Sequence, residues 1–373
     1  MTTKIVFVLP NFSGGGAARV ASVLCNSWIL QGHEVHLATF EEPGDTSVYP
    51  LDSHIYRYQL GFKASPKGLL GVLRTNLARI RVLRRLFKII QPDIVISFLL
   101  EPNIATTIAA SAIRAPVLIS ERNHPGYHNI GKSRALVRAI VYPRADLLCV
   151  QTQDIRHWFQ QNLKLNAIVI PNPVAPNMAP EGPSTVQSTA GRKRVISLGR
   201  LEPQKGYDFL IEAFARVAAT RLDWELVIFG DGTQRANLEA KVSSLGLDER
   251  VLLPGTTMNP SNEYFAADIF ISASRYEGYP NAIIEALAAG LCVVATDCPG
   301  ATREILRDGK YGVLAPAENA EELASALASV MDHNDTRMAF AKRARQAVRH
   351  LNANAIANQW LEILKTDYSA GGR

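Results

Sequence analysis

One arrangement limits this 373-residue chain more than any other. A short apolar strand running into a glycine or proline turn and then a helix appears at residue 4 and starts again near residue 195. Residues 4–10 are almost wholly apolar and end in Pro10, the pattern of a parallel strand covered on both faces. Asn11-Phe12-Ser13-Gly14-Gly15-Gly16 follows, then a periodic helix to about Leu30. Further strands are expected at 34–39, 93–98, 116–120, 146–150 and 168–170, with helices between them, one running from just after Pro102 to about 113. A Pro-rich stretch from Pro171 to Gly191 reads as a linker. Beyond it strands are expected at 195–200, 224–229, 251–253, 268–272 and 291–296, again with helices between and after them. Two successive βαβ arrays predict an α/β chain of two domains, 1–173 and 174–350, whose sheets face each other across a cleft.

The length suits two domains better than one core. A hydrophobic content of 47% with 20% charged residues is that of a folded globular chain. Cys25, Cys149, Cys292 and Cys298 show no C-x-x-C spacing and read as buried thiols in a reducing compartment. No run of about 18 apolar residues occurs, and a strand begins within a few residues of the start, so neither a signal peptide nor a membrane-spanning helix is expected. The expected location is cytoplasmic, including the inner face of the cell membrane. Residues 1–173 carry 19 Lys and Arg against 10 Asp and Glu, the remainder 21 against 24. That asymmetry points to an anionic surface partner for the first half.

Residues 274–290 form the densest candidate site. Gly278 is expected to permit a tight turn and Pro280 to take the first helical position. The N–H groups at that helix start then suit an anion. Glu277 precedes the helix and Glu285 lies five residues past Pro280, about 7.5 Å further along. The pair suggests a ligand with a phosphate end and a hydroxyl-rich end; the alternative is an ordinary helix start with acidic residues. Near the N-terminus, Gly14-x-Gly16 begins a dinucleotide fingerprint, but Arg19 holds the third glycine's place and no acid ends strand 34–39. Those glycines are read instead as a close approach to phosphate or sugar. Glu121-Arg122-Asn123-His124-Pro125 follows a strand's carboxyl end, where open α/β sheets bind ligands; it is a sugar contact or a capped loop with local ion pairs. Residues 67–90 form a basic amphipathic helix, broken near Gly71. Arg74, Arg81, Arg85 and Lys88 fall on one stripe, and Leu69, Leu73, Leu77, Ile80 and Phe87 on another. This is a solvated face or a docking surface for anionic headgroups or a lipid diphosphate.

Four elements taken together resemble the family 4 glycosyltransferases. They are Gly15-Gly16-Ala17, Gly199-Arg200-Leu201 with Lys205-Gly206, Gly230-Asp231-Gly232, and Glu277-Gly278-Tyr279-Pro280-Asn281 with Glu285-Ala286. The family comprises retaining enzymes of the GT-B fold, two Rossmann-like domains facing across a cleft, that use nucleotide sugars. The resemblance covers nearly the whole chain and is most specific in the C-terminal half. The pattern is most similar to that of bacterial enzymes extending lipid-linked oligosaccharides, often with N-acetylhexosamines. It implies catalytic roles for Glu277, Arg200 and Lys205, and donor contacts from Gly15, Gly16, Gly232, Thr256, Gly278, Tyr279, Asn281 and Glu285. It implies UDP-sugar as co-substrate with no metal or other cofactor, and residues 351–373 as a helix crossing back to the first domain. Arg122 and His124 become acceptor or sugar contacts, and Arg74, Arg81, Arg85 and Lys88 membrane or lipid-diphosphate contacts. The expected partners are a nucleotide sugar, a lipid-linked saccharide and an anionic membrane surface, with no nucleic acid. Three places depart from the family's pattern: Ala18 stands where relatives carry Glu, Arg122 where they carry His, and Tyr279 where they carry Phe or Leu. Two other readings remain open at this point, a nucleotide-sugar epimerase of the same fold and a non-catalytic nucleotide-sugar or lipid-binding protein.

Overall fold

The computed structural model describes residues 2–62, 68–175, 184, 186 and 191–367. Lys67, the Leu69 side chain and most of the 171–191 stretch lie outside the described residues. The chain divides into two compact units, Met1–Pro173 with Ala353–Arg373, and Val174–Asn352.

In the first unit the described residues form a seven-stranded parallel sheet. Its strands are β1 (Lys4–Leu9), β2 (Glu34–Thr39), β3 (Tyr56–Gln59), β4 (Ile94–Phe98), β5 (Val117–Ser120), β6 (Leu147–Val150) and β7 (Ala167–Val169), in the order β3-β2-β1-β4-β5-β6-β7. Helices α1 (Gly16–Leu30), α2 (Gly68–Ile90), α3 (Leu100–Ala110), α4 (Lys132–Val141) and α5 (Gln153–Leu163) connect them. Central strands such as β1 and β4 are buried almost end to end, as apolar runs must be when helices cover both faces. Edge strand β3, Tyr56-Arg57-Tyr58-Gln59, is half exposed and has no apolar run, so periodicity does not reveal it. Helix α2 is continuous through Gly71, contrary to the expected break. A single glycine weakens a helix by only about 1 kcal/mol, and α2 is anchored further along by its own Leu83, Phe87 and Ile90 in the core. Helix α3 begins at Leu100, two residues before Pro102. Proline is tolerated there because a first-turn N–H has no helical partner to lose.

The second unit holds β8 (Lys193–Leu198), β9 (Trp224–Phe229), β10 (Val251–Gly255), β11 (Ile269–Ser272), β12 (Cys292–Asp297) and β13 (Val313–Pro316). They are parallel and ordered β10-β9-β8-β11-β12-β13. Helices α6 (Tyr207–Ala218), α7 (Arg235–Ser244), α8 (Pro260–Phe265), α9 (Asn281–Ala289), α10 (Thr302–Leu306), α11 (Ala320–Asp332) and α12 (Asn334–Val348) cover it. Short edge strand β13 and the six-residue α8 were not expected from the sequence. The unit's core includes Val195, Leu210, Phe214, Trp224, Ile228 and Leu327. Where described, the linker is pinned to this unit: Arg194 donates to the Ser184 hydroxyl and the Val186 carbonyl, and Val174 pairs with Asn352.

The last helix, α13 (Ala353–Asp367), belongs to the first unit. It packs on α1, where the Trp28 indole donates to the Ala357 carbonyl, and Trp360 lies against Phe98. All four cysteines are buried thiols. Both sheets have the GT-B type of half, a doubly wound parallel sheet in each unit.

Candidate active site

In a doubly wound sheet, ligands bind beyond the carboxyl ends of the strands where the strand order reverses. In the second unit that place lies between β8 and β11, which are neighbours although β9 and β10 come between them in sequence. The loop after β8 carries Arg200, Lys205 and Gly206, and the loop after β11 carries residues 273–280. Topology alone therefore brings these two loops together.

Their contact is close. Gly206 has φ +63°, and a side-chain carbon there would lie 2.1 Å from the Ala273 carbonyl oxygen, so only glycine fits. The Gln204 side chain donates to the Tyr276 carbonyl, and the Arg275 N–H donates to the Gln204 carbonyl. The Arg275 guanidinium donates to the Pro203 carbonyl, to both oxygens of Asp208 and to Glu318. Burial works against the Asp208 charge, but the bonds from Arg275 hold its carboxyl below the usual range.

At this seam the Lys205 ammonium meets Glu277, Nζ to Oε1 2.5 Å. The same oxygen accepts from the Ser274 hydroxyl at 2.6 Å. Ser274 is held in turn by Thr296, whose hydroxyl donates to the Ser274 carbonyl at 2.6 Å. Glu277 and Ser274 are buried, Lys205 is partly exposed, and Arg200 lies exposed on the same loop. Beneath the pair is a small recess lined by Ser197, Tyr207, Ser272 and Ser274 as well as the pair itself. Burial raises the Tyr207 phenol; nearby Ser197 opposes the shift and the Glu277 charge adds to it. No group among the described residues meets that hydroxyl with hydrogen-bond geometry.

Helix α9 starts one residue later than expected. Pro280 is its N-cap, with ψ 91°, and Asn281 is the first helical residue. Gly278 does not take a positive φ, so the turn does not use glycine's left-handed freedom. Glu285 is buried on α9, its Oε2 accepting from the Tyr264 hydroxyl of α8 at 3.0 Å. Thr256 is exposed just beyond β10. Gly232 serves packing: its N–H donates to the Asp231 carboxylate, and a side-chain carbon would sit 2.5 Å from the Leu201 carbonyl oxygen. Tyr279 is half-buried, and burial raises its phenol.

In the first unit the order reverses between β1 and β4. The glycine loop lies there: Gly15 is the N-cap of α1 at φ 88°, Gly15 and Gly16 are exposed, and the space beside the Gly15 Cα is open. Ala18, at the place where the resemblance expects Glu, is buried. Arg122 follows β5, with its guanidinium 4.2 Å over the Phe98 ring and donating to Asn172. Burial lowers its pKa to about 9, which leaves it cationic at neutral pH. His124 is buried. Its Nδ1 accepts from the Gly126 N–H, so the proton sits on Nε2 and faces Asp154 at 3.0 Å. One ring nitrogen thus serves the local loop and the other meets Asp154 of α5. Arg74, Arg81, Arg85 and Lys88 are exposed along α2. Among the described residues no cluster of three or more His, Cys, Asp or Glu could hold a metal. Ser274 and Arg275 lie in the marked 274–290 stretch but were assigned no role, and Tyr207 and Tyr264 were not marked by any motif. Ser274 carried the weak signal of lying three residues before Glu277; Tyr264 carried none.

Comparison with known proteins agrees with this geometry. The family model described as glycosyltransferase family 4 matches residues 14–177, and that of the glycosyl transferases group 1 matches residues 184–347. The chain is 30% identical over 287 residues to an exopolysaccharide phosphotransferase of Streptomyces coelicolor, covering 75% of this chain but only 29% of that much longer protein. It is 26% identical, over 97% of this chain and 98% of the relative, to a Campylobacter jejuni α-1,4-N-acetyl-D-galactosaminyltransferase. That enzyme is named for a saccharide on undecaprenyl diphosphate. Among solved structures, Anabaena HepE in complex with UDP and glucose superposes with a TM-score of 0.79 at 21% identity, covering 98% of this chain and 100% of that one. With two parallel Rossmann-like sheets, a Lys–Glu pair at the second switch point and family matches over both halves, the chain belongs to the family 4 glycosyltransferases of the GT-B fold.

Proposed function

We propose that this glycosyltransferase moves a hexose or N-acetylhexosamine from UDP to a saccharide carried on a polyprenyl diphosphate or a similar lipid. The proposed reaction retains the anomeric configuration, uses no metal and takes place at the inner face of the cell membrane. The observation that carries the reading is the Lys205–Glu277 pair at the switch point, with Arg200 on the same loop. Breaking a sugar–phosphate bond leaves negative charge on the diphosphate, and prearranged donors lower the barrier most. An ammonium has three N–H donors; one from Lys205 goes to Glu277 and two serve phosphate oxygens, with Arg200 adding a second cation. Glu277 lies toward the sugar, where a carboxylate favours oxocarbenium-like charge. Glu285, oriented by Tyr264, accepts from ribose hydroxyls. The acceptor hydroxyl attacks the face that UDP leaves, and its proton passes to the departing phosphate. The Campylobacter relative's acceptor and the nucleotide in the Anabaena complex support the choice of lipid-linked acceptor and UDP.

Purified protein incubated with a panel of UDP-sugars should release UDP only when a lipid-linked saccharide is present. Lys205→Ala should lower kcat about 100-fold or more, the scale of losing one charge-stabilising donor, with an unchanged circular dichroism spectrum. No transfer from any UDP-sugar to lipid extracts, or UDP release independent of acceptor, would sink the reading.

A further inference from the structure

We propose that α4 inserts the apolar face formed by Leu136, Val137 and Ile140 into an anionic lipid bilayer, with α2 lying alongside as a basic flank. The proposal deepens the proposed function, since a lipid-linked acceptor would come from such a surface, but its test does not depend on turnover.

Leu136, Val137 and Ile140 are 62%, 40% and 50% exposed. Their spacing places them on one face of the helix. The opposite face is fixed, because Arg138 and Val141 are buried and the Arg138 guanidinium stacks over Trp158 at 5.0 Å. Helix α4 therefore cannot turn its apolar side inward. Three adjacent aliphatic side chains on one short helix differ from the scattered exposed apolar residues that every surface carries.

Helix α3 packs against both α2 and α4. Arg134 of α4 pairs with Glu101 at the start of α3, and Arg84 of α2 donates to the Ile108 carbonyl near its end. Both α2 and α4 link parallel strands, so both begin at the carboxyl edge of the sheet, the edge that binds ligands. The first half of α2 likewise exposes Val72, Leu73 and Leu77. Only its second half, at Leu83, Leu86, Phe87 and Ile90, joins the core.

Charge selects the occupant. Residues 53–92 and 122–145 contain no Asp or Glu at all. Lys132, Arg134 and Arg144 are exposed around the α4 face, and Arg74, Arg81, Arg85 and Lys88 along α2. Apolar side chains bordered by a marked excess of cations, with Arg134 meeting Glu101, match the interface of a bilayer with anionic headgroups. A second copy of this chain would set basic surface against basic surface. A nucleic acid would have no use for the aliphatic face. No helix among the described residues is long and apolar enough to cross a membrane, so the attachment is interfacial.

The test is co-sedimentation with vesicles of phosphatidylcholine, with and without phosphatidylglycerol, at low and high salt. Wild-type protein should pellet with the anionic vesicles and much less with the neutral ones. Leu136→Gln/Val137→Gln/Ile140→Gln together should weaken pelleting at least tenfold at constant salt, with unchanged UDP binding and thermal melting. Changing Arg74, Arg81, Arg85 and Lys88 to Gln should remove most of the salt dependence. As a direct readout, Val137→Trp should show blue-shifted fluorescence on adding anionic vesicles. Equal pelleting with neutral vesicles, wild-type pelleting by the triple variant, or a fluorescence maximum that does not move would each overturn the proposal. So would self-association of the wild type that the triple variant abolishes. Vesicle binding without any transferase activity would instead count against the proposed function and leave this surface standing.

Discussion

Glu277 receives two donors on one oxygen, the Lys205 ammonium and the Ser274 hydroxyl. Its orientation therefore depends on a serine that lies in the marked stretch but to which the sequence assigns no role. A hydrogen bond to a charged group contributes about 1.5–3 kcal/mol. Ser274→Ala is accordingly expected to lower kcat by about tenfold or more, with a smaller change in KM and a modest loss of melting temperature. Steady-state kinetics check this, and a variant with wild-type kcat would show that Lys205 alone positions Glu277. At this scale the sequence displayed residue types and spacings, so Arg200, Lys205, Glu277 and Glu285 were legible as a set. It did not display partners. Tyr264 reaches Glu285 from another helix, and His124 turns one ring nitrogen to its own loop and the other to Asp154 on α5. Side-chain direction depends on neighbours that are distant in sequence.

At the scale of elements, the loop after β8 and the loop after β11 act as one piece because the Gly206 backbone rests directly on Ala273. Gly206 and Gly246 have nearly the same φ, +63° and +65°, but nothing lies within 4 Å of a carbon added at Gly246. Gly246→Ala should show only the backbone cost of a left-handed alanine, about 1–2 kcal/mol, and keep nucleotide affinity. Gly206→Ala adds a clash with the Ala273 carbonyl, so it should melt well below Gly246→Ala and lose UDP binding. Thermal melting and calorimetric titration of the two variants together decide the point; equal behaviour would mean the loops are not locked. Buried strands and long helices were readable because their apolar runs are continuous. Edge strand β3 was not, since an edge strand is stabilised by pairing on one side and needs no apolar run, and β13 is apolar but only four residues long and ends in proline. The continuity of α2 through Gly71 reflects how little one glycine costs a long helix that is anchored in the core at its other end.

At the scale of the whole molecule, the C-terminal helix belongs to the first unit although the chain reaches it from the second. Trp360 is fully buried there beside Phe98. Trp360→Ala should destabilise the first unit by about 3–5 kcal/mol, the usual cost of removing a core aromatic. The second unit should melt as before, giving two separated calorimetric transitions. A single transition shifted as a whole would show that the units unfold together.

The sequence by itself determined two parallel α/β arrays, the loops that end their strands and the charged residues those loops carry. All of these follow from local periodicity, turn chemistry and composition. Only the tertiary structure decided which loops became neighbours, because the order of strands in a sheet is set by long-range packing. The reversal between β8 and β11 brings Lys205 to Glu277 across a sequence separation of 72 residues. The same dependence on packing governs α4. Its apolar residues are visible in the chain, but their exposure follows from burial of Arg138 and Val141 on the other side.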